Sequence, residues 1–474
     1  MDAIPGSQPT APQSAISPGR WQSVFRALRH RNYRLFFAGQ IVSLCGTFLT
    51  QVAMVWLVYS KTGSGRILGL TAFAGQIPAF LLGPFAGVWV DRLNRRRLIV
   101  TTQVLAMCQS FALAALVYFF ISNTRVVVPG LILLAFAQGL INAFDMPGRQ
   151  AFLVEMVESR EDLANAIALN STMVHGARLL GPALAGFLID LVGPALCFLL
   201  DGVSYVAVII ALLAMRIRPR PIKPKTTSVM AELREGVRYV WNFAPIRAML
   251  LLMALLSLTG MPALSTLMPI FANALKGSMS GPRTLGFLMG AAASGALLGA
   301  IYLASRKSVL GLGRLIPIVA GTFGATLILV SFSHRLALTL AIVPVAGCAM
   351  LITFASANTL LQTLTDDEKR GRVMSLFTMA FVGMTPWGNL LAGTSADALI
   401  SSNPDGIRAH FDGAARTLEI AGCVCIVGAI SFALKLPAIR KATHPIYVER
   451  GIIPREVATG LQDATEVVSG HEQQ

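Results

Sequence analysis

Residues Gly83–Arg97 read GPFAGVWVDRLNRRR and join two long apolar runs, 67–90 and 98–120. No charge occurs from Gly83 to Val90, and then Asp91, Arg92, Arg95, Arg96 and Arg97 follow within one short loop. A boundary that abrupt separates chain solvated by lipid from chain solvated by water. Each flanking run has roughly the 20 residues a helix needs to cross a hydrocarbon core about 30 Å thick. Helices are expected because lipid offers no partners for free backbone groups.

The same rhythm extends in both directions. Before the junction lies the run 35–59, and after it 126–144, 165–191 and 195–215. A second set follows at 246–275, 284–305, 311–332, 336–361, 373–399 and 415–436. With mean hydropathy +0.65 and 13% charged residues, this is an all-α integral membrane protein. The expected architecture is twelve transmembrane helices in two pseudo-symmetric six-helix bundles, 35–215 and 246–436. Between them, 216–245 is a basic cytoplasmic linker, opening with RIRPRPIKPK and continuing as an amphipathic helix over Val229–Trp241 at the membrane surface. Residues 1–34 form a cytoplasmic tail whose Trp21, Val24, Phe25 and Leu28 suggest an interfacial helix, and 437–474 form a second tail.

Net charge +16 does not indicate nucleic acid, because about 30 of the 39 Lys and Arg fall in alternate loops. That bias places both termini in the cytoplasm. The six cysteines lie in apolar runs without metal-site spacing and read as small buried hydrophobes. The chain has no P-loop, no Gly-x-Ser-x-Gly and no zinc-ligand cluster. An enzyme is not expected, and neither a metal nor a cofactor is needed.

The halves echo each other. Gly83-x-x-x-Gly87 and Gly295-x-x-x-Gly299 both precede basic loops, and Gly181-Pro182-x-x-Ala185-Gly186 has a relative in Pro386-x-Gly388 with Ala392-Gly393. Duplication with its seam at a basic loop is a recurrent transporter design.

With Gly87, Asp91, Arg92, Arg95 and Arg96 in place, the junction resembles the major facilitator superfamily signature G-x-x-x-D-R-x-G-R-R/K; Asn94 stands where Gly is usual. The runs from Asn142 through Asp145 and Pro147 to Gln150, from Asn165 to Ser171, and from Arg370 to Ser375 resemble the enterobactin (siderophore) and drug exporter branch. The resemblance implies a rocker-switch antiporter, usually proton-driven, acting in siderophore export or multidrug resistance. It assigns the junction a gate role. Asp91 would approach the start of the eleventh span near Arg372 and Val373, and Arg92 or Arg95 would pair with Asp145. Alternatively the arginines set topology alone. Gly176, Gly181, Pro182 and Gly186 look like a partial antiporter signature, and also suit close helix packing. Gln138 and Gly139 match the family's helix-four pattern R-x-x-Q-G, but Ala135 replaces its arginine.

Arg178 and Asp201 lie deep in consecutive antiparallel spans, where an unpaired charge costs several kcal/mol. A pair between them is expected, either a proton-coupling device or a fixed structural bridge. His175, one turn before Arg178, is a second proton candidate, since free imidazole titrates near pH 6.5. Candidate cavity residues are Gln40, Gln51, Gln138, Thr385, Trp387 and Asn389, each equally readable as interhelical packing. A cleft so lined is weakly polar and suits bulky amphipathic molecules. The expected function is proton-coupled export of a siderophore, drug or similar amphipathic molecule by a monomer whose partners are substrate, protons and lipid. An uptake carrier or lysolipid translocator is the rival of the same fold, and a non-transporting scaffold or sensor the rival of another class.

Overall fold

The computed structural model describes residues 25–157, 160–216, 229–275, 279, 281–306, 308–400 and 406–450. Ten of its helices are long and apolar enough to cross a membrane, and they account for eleven crossings. The first four are α1 (Arg31–Thr62), α2 (Gly65–Arg92), α3 (Arg95–Phe120) and α4 (Thr124–Met156). Arg160–Ala214 then runs on for 55 residues, about 80 Å of helix and far more than a bilayer is thick. It bends at Gly193, whose φ of 78° and ψ of 168° only glycine adopts readily, so it holds two crossings, α5 before the bend and α6 after it.

The second half follows α7 (Val229–Asn242). Its first crossing combines α8 (Ala244–Leu258) and α9 (Gly260–Ala274), which meet in a bend at Thr259, within a stretch rich in Ser, Thr, Gly and Pro. Next come α10 (Gly281–Ser305), α11 (Leu312–Ser331) and α12 (Leu336–Leu364). The remaining crossing is broken, and so fails a simple length criterion. It comprises α13 (Asp367–Thr378), a π-helical turn at Met379–Gly383 and α14 (Thr385–Ala398). The last helix, α15, spans Gly406–Glu449. Twelve crossings are therefore present.

Small residues set the packing. In the first half Gly181 of α5 takes Phe48 of α1, Gly39 of α1 lies on Val208 of α6, and Gly75 of α2 faces Ala135 of α4. In the second, Gly347 of α12 lies on Ala292 of α10, and Gly324 of α11 on Gly422 of α15. The halves meet along two seams, α2 with α14 and α5 with α10.

The structure corrects four expectations about the edges. Residues 25–34 are not a free tail. Arg26–Arg29 is a 3-10 turn, not an amphipathic helix, and residues 1–24 lie outside the described residues. This turn is tied to the start of α5, with Asp162 held by Arg26 and, at 2.9 Å, by His30, and the Ala27 N–H donating to Asn165 at 2.9 Å. Second, α7 forms where expected but docks on α13, with Gly236 against Arg372 and Glu235 paired with Arg372. Third, helix continues beyond 436 to Glu449, so the second tail is shorter than read. Fourth, only Cys197 and Cys425 are buried, whereas Cys45, Cys108 and Cys423 are exposed on helix faces.

Candidate functional site: the cleft between the halves

The bundle has a basic end, carrying the loop at Arg95–Arg97 and the linker, and an opposite end. The two seams are fastened at the opposite end. On one, Asp397 at the end of α14 caps the start of α2. Its carboxylate accepts from the Ser64 hydroxyl at 2.5 Å, the Gly65 N–H at 2.7 Å and the Arg66 N–H at 3.1 Å. These free amides at a helix N-terminus, with the positive end of the helix dipole, suit an anion. On the other seam Asp190 of α5 pairs with Arg283 at the start of α10 at 2.7 Å.

Behind these fastenings the backbones touch. A Cβ added at Gly69 would meet the Asn389 carbonyl oxygen, and one at Gly286 would meet that of Pro182. Gly186 makes such a contact to α10, Gly181 instead leaves room for the Phe48 side chain of α1 in its own half, and Gly176 has nothing within 4 Å. Gly176 is thus not a packing residue.

Toward the basic end the cleft opens on the α5 side. On α5, Ala185 and Ile189 are buried in the core, whereas Arg178, His175 and Ser171 are exposed. The expected Arg178–Asp201 pair does not form. Asp201, 1% exposed, points away from the cleft into the interior of the first half. There it accepts from Thr50 of α1 and Ser110 of α3, each at 2.7 Å, with Gly46 leaving room for its other oxygen. Helix order brought the two charges to similar depth, but helix rotation turned them apart.

The gate expectation also needs correction. Asp145 is buried and pairs with Arg149, one turn on in α4, at 2.5 Å; Thr102 and Gln103 donate to it at 2.7 and 2.9 Å. Arg95 pairs with Glu155 at 2.6 Å instead of Asp145. Arg96 donates to the Leu212 and Leu213 carbonyls at 3.0 and 2.7 Å, capping the end of α6. Arg372 and Val373 do not start a helix, because α13 begins at Asp367, and Arg372 is held by Glu235. Gly87, Asp91 and Arg92 belong to α2, but their side chains lie outside the described residues.

Of the cavity candidates, Gln51 is exposed and Trp387, 46% exposed, packs edge-on against Phe73 across the α2–α14 seam. Gln138 donates to Asn142 at 3.1 Å within α4. The other three are packing residues. Asn389 accepts from Thr266 at 2.8 Å, Thr385 donates to the Phe381 carbonyl of its own helix at 3.0 Å, and Gln40 is buried. Sequence reasoning missed Asp190, Arg283 and Asp397. Their signal was the repeat itself, because Gly181-x-x-x-Ala185-Gly186-x-x-x-Asp190 and Gly388-x-x-x-Ala392-Gly393-x-x-x-Asp397 coincide residue for residue.

Comparison with known proteins agrees with this architecture. The staphyloferrin A transporter of Staphylococcus aureus is 24% identical over 77% of this chain and 89% of its own. Multidrug efflux pump Tap of Mycolicibacterium fortuitum is 27% identical over 74% of this chain and 86% of its own. Among solved structures, an inward-facing, unoccupied bacterial homologue of the human lysosomal transporter Spinster has TM-score 0.67 at 15% identity. That match covers 87% of this chain and 98% of the homologue, and it speaks to the fold. The family model described as transmembrane secretion effector matches residues 22–452, and the chain belongs to that family of major facilitator transporters.

Proposed function

We propose that the protein exports an amphipathic small molecule, of the siderophore or drug kind, across a bacterial cytoplasmic membrane in exchange for protons. Both termini and the basic end face the cytoplasm, following the distribution of Lys and Arg. The observation that carries this reading is the one-sided closure of the cleft. The halves are fastened by Asp397 and Asp190 at one end, while a single face of α5 passes from buried Ile189 and Ala185 to exposed Arg178. A cleft with one closed mouth is one state of an alternating-access cycle; breaking the fastenings and closing the basic end gives the other.

Coupling is assigned to Asp201, with His175 as a second proton site. Neutral hydroxyls hold the Asp201 carboxyl, and no cation pairs with it among the described residues. It can therefore exchange a proton without breaking an ion pair. Because it lies between α1, α3 and α6, its protonation state acts on the packing of the first half and not directly on cargo.

The test is proton flux in reconstituted vesicles, followed with an internal pH dye while amphipathic probes such as pyrenebutanol and erythromycin are presented from the cytoplasmic face. Probe-dependent proton movement into the compartment that lost the probe is expected. Asp201→Asn should keep passive exchange of the probe and lose its link to protons. Probe movement with no proton counterflow in the wild type would refute coupling, and absence of any probe movement would favour a scaffold.

A further inference from the structure

One line on α5 decides what the cleft can hold. Ser171, Arg178, Ala185 and Ile189 are spaced by seven, seven and four residues, which keeps them within about 20° of a common direction. Ala185 and Ile189 on that line are buried in the core, and Arg178 and Ser171 are exposed. Gly181 against Phe48 of α1 flanks the line on one side; Gly186 against Pro282, and Leu179 against Gly290 of α10, flank it on the other. Arg178 therefore points into the opening between α1 and α10, where the seam parts, and not toward lipid.

Among the described residues no carboxylate pairs with it. Of the described acids on its own helix before the bend, Asp162 and Asp190 lie about 24 Å and 18 Å away along the axis, and each is held by another cation. Asp145 is taken by Arg149, Glu155 by Arg95, and Asp201 by Thr50 and Ser110. Across the cleft, the sequence from Ala244 to Leu364 contains no Asp or Glu, so α8 to α12 supply no acid. Nor does packing demand a cation. The repeat that aligns Gly181 with Gly388 and Asp190 with Asp397 aligns Arg178 with Thr385, a buried residue bonded within its own helix. The same seam is thus built once with a small neutral residue and once with an arginine.

We propose that Arg178 is the subsite for an anionic group, a carboxylate or its like, on the amphipathic cargo, so that the cleft selects anionic amphiphiles over cationic ones. A guanidinium offers a planar fork of donors matched to a carboxylate, and stays charged at any working pH. Its attraction for an anion, and its repulsion of a cation, are stronger in a weakly polar cleft than in water. The inference rests on the carrier reading above, since it presumes that the cleft receives cargo.

The test uses three matched probes, 1-pyrenebutyrate, 1-pyrenebutanol and pyrenylmethyl-trimethylammonium, with binding to the detergent-purified full chain read by quenching of tryptophan fluorescence. The wild type should bind the carboxylate at least about ten-fold more tightly than the cation, with the alcohol between. Arg178→Gln should reduce that ratio to near one while binding the alcohol as before, and Arg178→Lys should restore part of it. Unchanged alcohol binding shows that the variant is folded. A carboxylate preference that survives in Arg178→Gln, or a wild type that favours the cation, overturns the anion subsite and leaves the carrier standing. No binding of any probe overturns both. Competition by the phosphodiester lipid phosphatidylglycerol but not by carboxylate amphiphiles would assign the anion to a lipid headgroup and overturn the cargo assignment.

Discussion

The α2–α14 and α5–α10 seams are the same device built twice, and they differ in how far they stay shut. Both begin at a carboxylate facing a helix start, and both continue through glycines that bring backbones into contact. On the α2–α14 side backbone contact at Gly65 and Gly69 gives way to side-chain contact as far as Phe80, whose ring rests in the space left by Gly383, about 22 Å along the helix. On the α5–α10 side contact runs from Arg283 to Gly290, about 10 Å, and beyond it Arg178 stands exposed. The longer α2–α14 contact is the spine of the closed state, and the glycine contacts of the α5–α10 seam end at mid-depth beside exposed Arg178. The π-helical turn at Met379–Gly383 has no counterpart in α5 and falls where Phe80 must be admitted. Such turns interrupt regular helix at the cost of one register step.

The largest effect is expected from blocking the spine. In Gly69→Leu the new side chain meets the Asn389 backbone, which cannot step aside as a flexible side chain could. Overpacking of this kind costs about 1–3 kcal/mol and forces helices apart. Transport of the pyrene probes should fall more than ten-fold, and the thermal midpoint of the purified protein should drop. If Gly69→Leu transported normally while Gly286→Leu did not, the seams would have exchanged roles.

Next in size is the Asp397 clasp. Hydrogen bonds to a charged group are worth about 1.5–3 kcal/mol net, so Asp397→Asn should open the closed end by roughly ten- to a hundred-fold in equilibrium terms. Hydrogen exchange at the Gly65 and Arg66 amides reads this directly, because both donate to Asp397. Faster exchange there, without faster exchange in the α12 core, is the expected signature. Asp190→Asn should do much less. Its pair with Arg283 is 27% and 34% exposed on the two sides, and pairs that open to solvent contribute about 0–1 kcal/mol. Fewer than about five-fold should separate it from wild type, and a larger shift than that of Asp397→Asn would reverse the ranking of the seams.

Much of this was legible before any coordinates, because lipid imposes so few options. Length and hydropathy alone mark twelve crossings, and the Ser257–Thr266 stretch announces the bend at Thr259. Depth is also legible, since 1.5 Å per residue places Arg178 near mid-membrane. Rotation is not. Whether Asp201 faces Arg178 or Ser110 depends on which neighbours α6 meets, and that is decided by Gly46 and Gly39 on α1. Two arginines of the Gly83–Arg97 junction, Arg95 and Arg96, misled for a related reason. Arg95 and Arg96 have nearer partners in their own half, Glu155 and the end of α6, than the buried Asp145 already held by Arg149. Asp190 and Asp397 escaped attention because they stand at span ends, where a charge costs little and so looks unremarkable.

The smallest effect sharpens where the second seam ends. At Gly290 an added methyl would lie 3.3 Å from the Leu179 carbonyl oxygen and 3.9 Å from the Ala183 side chain, a contact relieved by a few tenths of an ångström. Replacing a mid-helix glycine by alanine also favours helix by about 0.8–1 kcal/mol. These terms oppose each other, and because α5 and α10 are already separating here, the relief requires little movement. Gly290→Ala should therefore leave transport within about two-fold of wild type and hold or slightly raise the thermal midpoint. The same change at Gly286, one turn nearer the fastened end, presses on the Pro182 backbone and should lower both. Equal damage at the two positions would mean that the α5–α10 seam stays shut past Arg178, with no opening beside that side chain.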